Sequence, residues 1–178
     1  EQWKEDSYNA QSRAGGLTQF LESTWLSHVM KPGYFIHEQS VANGWVRTEA
    51  NAGGKSKHLF ALANGTTTAQ PWKHTSDANV QACLKKRFDA EWSIMAAADY
   101  GKANLKLLEA KGFKIASLND AEKAKLMYLM HHEGEGNGPL FIRNQLHLMP
   151  KGKFATSEAR LKHIFRLQVG ASDAEKKV

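Results

Sequence analysis

The chain has 178 residues, of which 42% are hydrophobic and 24% charged, as expected for a soluble domain with room for one core. No apolar run reaches the roughly 20 residues that a membrane-spanning helix needs. The formal net charge of +6 predicts attraction to polyanions such as nucleic acid, lipid headgroups or cell-wall polymers. Because the sequence has no zinc finger, RNA-recognition motif or aromatic-interleaved basic stripe, we predict no nucleic-acid partner.

The lone cysteine and the basic clusters indicate ordinary structural roles. Cys83 is the single cysteine, which excludes an internal disulfide framework and predicts a small buried residue rather than a nucleophile. The cationic residues are scattered, and short clusters such as Lys85-Lys86-Arg87 predict a solvated surface.

The beginning of the chain predicts a helix end, a loop and a short helix. Residues 1–6 look like the last turn of a helix with nothing before it, so we expect the chain to be a C-terminal fragment of a larger protein. The small polar residues Ser7–Gly16 predict a loop. Ser23 predicts the N-cap of a helix that runs to Met30 and stops at Pro32.

Residues 33–75 have a weaker pattern that favours β-structure. Alternation of apolar and polar side chains in Tyr34–His37 and Gly44–Arg47 predicts two short strands. The pair Asn64-Gly65 predicts a turn. We therefore predict that 33–75 is an insertion with a small β-hairpin.

Helical periodicity dominates after residue 88. Asp89 predicts the cap of a helix that ends at Gly112, and Asn119 with Glu122 resembles a capping box for a helix that ends at Gly134. The predicted inward stripe of the first of these helices is Trp92, Met95, Ala96, Tyr100, Ala103, Leu107 and Leu108.

Two further helices are predicted near the end of the chain. Pro139 predicts the first turn of a helix over 140–147, because proline is tolerated where the backbone N–H has no partner. Thr156 and Ser157 predict the cap of a last helix over 158–169. Together the patterns predict one mainly α domain over 1–178 with a minor β element.

The front of the chain resembles a known enzyme family. Glu1 is followed one loop later by Gly16–Gln19 (Gly-Leu-Thr-Gln) and then by the helix start Ser23–Trp25. This order resembles the lysozyme-like lytic transglycosylases, in which a Glu at a helix end precedes a small-residue loop, Gly-Leu-Met-Gln and a Pro-x-Thr helix start. Thr18 stands where that family has methionine.

A second segment is similar to the family's Asn-Ile-x-x-Gly-x-x-Tyr helix. Here Ser93 replaces the asparagine, Ala97 replaces the glycine, and Tyr100 is retained. A third segment, Tyr128–Gly134, is similar in placement to the family's Ala-Tyr-Asn-Ala-Gly motif, with histidines at the tyrosine and asparagine positions.

The resemblance implies an α+β lysozyme-like fold, a helical bundle around a glycan cleft with a small β-hairpin. It implies cleavage of the β-1,4 bond between N-acetylmuramic acid and N-acetylglucosamine in peptidoglycan, without a cofactor. Phage endolysins and the wall-degrading C-terminal domains of type VI secretion spike proteins are the most similar members. We therefore expect action in the bacterial periplasm or cell wall after delivery by secretion or phage lysis, and a cognate immunity protein as a partner that occupies the cleft.

Glycosidic cleavage needs a proton for the leaving oxygen, which a carboxylic acid in a poorly hydrated site can supply. Glu1 is the candidate, either as the general acid or, alternatively, as a solvated terminus. A muramidase also needs a second carboxylate roughly 5–9.5 Å away, and Asp6 is the first candidate. Glu5, Glu22 and Glu38 are weaker ones.

Five residues are candidates for substrate binding, and three of them have a structural alternative. Gly16 would let the backbone approach the glycan, and Gln19 would bind an acetamido group or else brace the loop. Tyr100 would lie under the catalytic acid or in the core. His131 and His132 take the family's tyrosine and asparagine positions, and His131 could instead be a helix-end histidine. Their adjacent spacing does not match a metalloprotease helix, so we predict no metal site.

Two other functions stay open from the sequence. One is a cell-wall-binding module that has kept the fold but not the reaction. The other is a hydrolase of chitin or chitosan on a related scaffold.

Overall fold

The computed structural model describes residues 4–50 and 55–143. The chain divides into two compact units, one that runs up to Ala103 and one that starts at Asn104. The helices and strands in the described ranges are β1 Tyr8–Asn9, β2 Ala14–Gly15, α1 Glu22–Val29, α2 Phe35–Ala42, β3 Val46–Ala50, β4 Ser56–Ala61, β5 Thr67–Thr68, α3 Ala78–Lys85, α4 Ala90–Ala110 and α5 Asp120–Ile142.

The protein is mainly helical with a small antiparallel sheet. Single turns of 3₁₀ helix occur at Pro71–Lys73, Lys86–Phe88 and Ile115–Ser117. Within the described ranges no helix is long and apolar enough to cross a membrane.

The predicted loop over Ser7–Gly16 contains a minimal β-hairpin. Strand β1 pairs with β2 in antiparallel fashion, with Tyr8 opposite Gly15. Residues 4–6 form a turn before this hairpin, and the rest of the predicted helix end, 1–3, lies outside the described residues.

Helix α1 begins two residues earlier than predicted. Leu21 occupies the N-cap position with extended backbone and no side-chain cap, so the prediction of Ser23 as N-cap is wrong. The helix buries Trp25, Leu26 and Val29, which shows that packing rather than capping fixes its start.

The strand predicted over Tyr34–His37 is wrong, because this segment enters helix α2. The N–H of Phe35 donates to the Asp99 carboxylate of α4 at 2.7 Å, so a residue 64 positions away satisfies the first turn of α2. Ile36 and Ser40, four residues apart, are both buried. The alternation of apolar and polar residues within Tyr34–His37 carries no information about this distant partner.

The remaining β-structure follows the sequence prediction more closely. Strand β3 begins at Val46 and pairs with β4, placing Val46 opposite Phe60, and β4 pairs with β5. The turn predicted at Asn64-Gly65 is confirmed, with the N–H of Leu62 donating to Thr66 O at 2.8 Å. The region 33–75 thus holds a helix and a three-stranded sheet.

The core of the first unit gathers apolar side chains from α1, α2, the sheet, α3 and α4. Asp89 caps α4, as predicted, by accepting from the N–H of Trp92 at 3.3 Å. Trp92, Ala96 and Tyr100 are buried along α4, as predicted, whereas Met95 is 38% exposed, so its prediction as part of the inward stripe is wrong.

The second unit contains the end of α4, helix α5 and a small apolar cluster. Leu108, Ile115 and Met130 form that cluster. Gly112 ends the turn after α4 with φ +87°, and Asn119 and Glu122 form the predicted capping box.

Helix α5 breaks at Gly134, whose φ of 77° and ψ of 170° are not helical, so the predicted helix end is confirmed there. Helical geometry resumes at once, which leaves Pro139 inside the following segment rather than in its first turn. The prediction for Pro139 is therefore wrong. Residues 144–147 and the helix predicted over 158–169 lie outside the described residues.

Candidate functional site

The Gly16–Gln19 segment, hereafter the anchored loop, is a tight turn that is closed by a hydrogen bond from the N–H of Gln19 to Gly16 O at 3.2 Å. Gly16 has φ +79° and Gln19 has φ +52°. The N–H of Gly16 donates to Ser7 O at 2.9 Å, which ties the loop to the hairpin. A Cβ atom on Gly16 would collide with the carbonyl oxygen of Arg87. Glycine is therefore required here both by φ and by space.

The side chain of Gln19 braces this loop. Its Nε2 donates to Gly16 O at 2.8 Å and to Ser7 O at 3.2 Å. Since an amide nitrogen has two hydrogens, both donors serve the protein, and the Oε1 acceptor is the atom that remains for a ligand. The structural alternative, in which Gln19 braces the loop, therefore holds for the amide nitrogen.

Thr18 joins the anchored loop to helix α4. The Thr18 and Ser93 hydroxyl oxygens are 2.7 Å apart, and the N–H of Thr18 donates to Ser93 Oγ at 3.3 Å. Ser93 is buried. Thr18 and Ser93 are two of the positions at which the sequence differs from the transglycosylase motifs that it resembles, and they bond to each other.

Arg87 holds the residues on either side of the anchored loop. The sequence did not predict it as a functional residue. It is 3% exposed, so its assignment to a solvated basic cluster is wrong. Its Nη1 donates to Arg13 O at 2.8 Å and to Phe20 O at 3.0 Å, and its Nε donates to Leu84 O at 3.1 Å. The guanidinium thus fixes both ends of the segment that contains the anchored loop.

The Arg87 guanidinium stays positively charged although it is buried. Burial lowers the pKa of its guanidinium, and the nearby Glu22 carboxylate opposes that effect; arginine remains protonated in proteins in either case. The burial of Arg87 could have been predicted from the sequence. Val80, Leu84 and Arg87 follow one another at helical spacing, so position 87 continues the buried face of α3.

Glu22 is the carboxylate of the candidate set that is held most firmly. Its side chain is 13% exposed and accepts ion pairs from Arg13 at 3.3 Å and from Arg87 at 3.6 Å. Glu5 and Asp6 are exposed in the turn before β1. Glu38 is exposed and accepts from the N–H of Gly33 at 3.3 Å.

Tyr100 lies in the core of the first unit, as the structural alternative proposed. It is 6% exposed, and its ring centroid lies 4.7 Å from that of His28 and 5.9 Å from that of Phe20. His28 is also buried and contacts the Tyr34 ring at 5.3 Å. Sequence analysis missed His28, although its spacing of three from Trp25 places it on the buried face of α1.

The candidate histidines belong to the second unit, on α5 just before its break. His131 is half-buried, with its Nδ1 atom enclosed. The Nδ1 of His132 lies 2.6 Å from the Glu133 Oε1, and that Glu133 side chain is 3% exposed. The exposed Tyr128 ring lies 6.2 Å from the His132 ring.

Glu1, the predicted general acid, lies outside the described residues. Across 4–50 and 55–143 no group of three or more His, Cys, Asp or Glu side chains is arranged to hold a metal ion. Cys83 is buried, as predicted. Burial raises the pKa of its thiol to about 12, so the thiol is protonated and unreactive at neutral pH.

Comparison of the chain with protein-family models, with curated proteins and with solved structures finds no match. Three features of the first unit remain as guides to function. They are a glycine-rich loop fixed by a buried arginine, its bond to α4, and the aromatic cluster around Tyr100.

Proposed function

We propose that the chain is a peptidoglycan-degrading glycosidase of lysozyme-like type that cuts the β-1,4 bond between N-acetylmuramic acid and N-acetylglucosamine. One observation supports this above the others. The two motif segments recognised separately in the sequence are neighbours in the first unit, since Thr18 bonds to Ser93 at 2.7 Å and Phe20 packs against Tyr100 at 5.9 Å.

The anchored loop is suited to hold a polar ligand in place. Its backbone is fixed at both ends by Arg87 and braced by Gln19, so little motion is lost when a ligand binds. Such preorganisation is the main contribution of positioning groups to catalysis. Gly16 itself is buried, and a Cβ atom there would meet the Arg87 carbonyl oxygen. Its role is therefore to let the loop pack against Arg87, and the prediction that its backbone meets the glycan is wrong.

In this proposal the reacting groups have separate roles. Glu1 donates the proton to the leaving oxygen, and Asp6, exposed in the next turn, is the candidate second carboxylate. Gln19 accepts a hydrogen bond from a substrate acetamido group through Oε1. Tyr100 positions the loop through the Phe20 ring.

The charge of the chain fits a wall substrate. A net charge of +6 favours accumulation on an anionic cell wall before any specific contact forms. We infer delivery to the periplasm by secretion or phage lysis, and a cognate immunity protein that covers the site in the producing cell.

The direct test is release of soluble fragments from purified sacculi by the 178-residue chain and by Glu1→Gln. We expect the variant to release none, because the amide cannot donate the required proton. Glu49→Gln, a change to an exposed acid on β3 that has no role in the proposed reaction, is the matched control and retains release. Full release by Glu1→Gln would overturn the assignment.

Mass spectrometry of the released fragments separates the two versions of the reaction. Anhydro ends indicate a lytic transglycosylase, for which one acid suffices. Reducing ends indicate a muramidase, and then Asp6→Asn should lower the rate as well, since a second carboxylate is needed.

A cell-wall-binding module is the second candidate. The internal use of both Gln19 donors and the burial of Tyr100 in the core favour it, because neither group is then free to act in catalysis. Sedimentation with sacculi in the absence of fragment release, by the wild-type chain, would select this candidate.

A further inference from the structure

We propose that a pocket in the first unit, lined in part by residues that precede and follow the anchored loop in the chain, binds one pyranose ring of a glycan. The pocket has a volume of about 270 Å³, near the lower limit of roughly 300–1,000 Å³ for small-molecule sites. That size suits a single ring. Its lining includes Ser12, Arg13, Glu22, Ser23, Trp72 and Thr75.

Trp72 supplies the apolar wall of this pocket, hereafter the Trp72 pocket. It lies in the 3₁₀ turn Pro71–Lys73, in which Pro71 is buried, yet the indole itself is 36% exposed. A large aromatic side chain kept partly in solvent on a fixed turn is available for a ligand. The C–H face of a pyranose is the apolar surface that stacks on such a ring.

A charge pair forms the polar side of the pocket. The Arg13 Nη2 and Glu22 Oε2 atoms are 3.3 Å apart, which places donors and acceptors side by side. Neighbouring hydroxyls of a sugar need both, since each hydroxyl donates once and accepts twice. Serine and threonine hydroxyls complete the lining.

The charges at the pocket argue against cationic ligands. Glu22 already pairs with two guanidiniums, those of Arg13 and Arg87, which repel a further cation. A neutral polyhydroxylated ring gains hydrogen bonds from Arg13 and Glu22 without meeting a like charge. The pocket chemistry therefore favours a saccharide over a metal ion or a cationic peptide.

The pocket is also rigid, because its carboxylate is tied to the arginine that holds the anchored loop. Glu22 Oε1 lies 3.6 Å from Arg87 Nη2. The Arg87 side chain cannot move without breaking its hydrogen bonds to Arg13 O and Phe20 O. A ring bound here would be held next to the loop. The inference rests on the proposed function only for the identity of the glycan.

The test uses chitotetraose, a soluble β-1,4-linked N-acetylglucosamine oligomer, and purified sacculi as probes. The chain has five tryptophans, so the indole N–H signals of the wild-type protein show which ring meets the ligand. We expect the Trp72 signal to shift on titration. Trp72→Ala should weaken binding about tenfold, or ~1.4 kcal/mol, from loss of stacking.

Two variants control for trivial effects. Trp72→Phe keeps an aromatic face and should retain most of the affinity. Tyr8→Ala removes another exposed aromatic side chain, 51% exposed on β1, and should leave binding unchanged. If Trp72→Ala fails to fold, the indole shifts of the wild-type chain decide the question alone.

The outcomes separate this inference from the proposed function. Unchanged binding by folded Trp72→Ala, or shifts confined to other indoles, overturns the pocket. Binding to sacculi but not to chitotetraose supports it when Trp72→Ala loses that binding, and then identifies a muramic-acid-containing strand. Binding to sacculi that Trp72→Ala retains, or binding to neither probe, overturns it. Glu1→Gln should bind as wild type, so its activity bears on the reaction and not on the pocket.

Discussion

The anchored loop and helix α5 are stabilised in opposite ways. The loop depends on Arg87 and Ser93, whose bonds to it span 67 to 75 residues of sequence. The start of α5 depends on Asn119 and Glu122, three residues apart, each accepting from the other's backbone N–H at 2.9–3.0 Å. One region is built by tertiary contacts and the other by a local motif.

The comparison indicates where function can be placed on this chain. A loop held by distant residues is fixed only in the folded protein, and it can present backbone in a conformation that its own sequence disfavours. A helix with a capping box forms by local rules and tolerates changes nearby. Substitutions should therefore have large, loop-specific effects in the first region and small ones in the second.

The largest effect is expected for Arg87→Met. The change leaves Glu22 without its buried partner and removes donors to three backbone carbonyls, while the methionine keeps the apolar stem. Breaking one side of a buried ion pair typically costs about 3–5 kcal/mol. Urea unfolding should show a loss in the free energy of unfolding of this size.

Lys85→Met is the matched control for that experiment. Lys85 is an exposed cation at the end of α3, two positions away from Arg87. Its replacement should change stability by about 0.5 kcal/mol or less. Equal losses in the two variants would mean that the arginine does not anchor the loop.

A smaller loss is expected for Gly16→Ala. An L-residue at φ +79° costs roughly 1–2 kcal/mol, and the added methyl collides with the Arg87 carbonyl oxygen, so backbone must move. We expect a total of about 3 kcal/mol, because forced shifts in packed regions add about 1–3 kcal/mol.

Gly65→Ala isolates the two causes. Gly65 has φ +86° but nothing within 4 Å of its would-be Cβ, so only the conformational term, about 1–2 kcal/mol, applies. Thermal or urea unfolding of both variants gives the comparison. If Gly16→Ala lowers the free energy of unfolding no more than Gly65→Ala does, the close approach of Gly16 to Arg87 does not contribute to stability.

The same contrast explains which predictions from the sequence succeeded. The capping box at Asn119, the cap at Asp89 and the turn at Gly65 are local devices, and all three are confirmed. Each is specified within a few residues, so a single sequence contains the full signal.

Two of the failures involve distant partners. Tyr34–His37 looks like a strand until Asp99 satisfies the N–H of Phe35, and Arg87 looks solvated until the carbonyls of Arg13 and Phe20 close around it. Neither partner lies within the window in which periodicity is judged. Of the candidate site, the sequence indicated the anchored loop and Tyr100, but not the arginine that fixes the loop.

The smallest effect is expected at the locally built helix start, for Asn119→Ala. The change removes the acceptor for the Glu122 N–H and should lower stability by about 1 kcal/mol. Hydrogen exchange of the Glu122 amide should speed up, since its protection comes from this one bond. Asn119→Asp keeps an acceptor at the N-cap and should stay within a few tenths of a kcal/mol of wild type. Unchanged exchange at Glu122 in Asn119→Ala would show that tertiary contacts hold this helix start too, and the distinction between the two regions would fail.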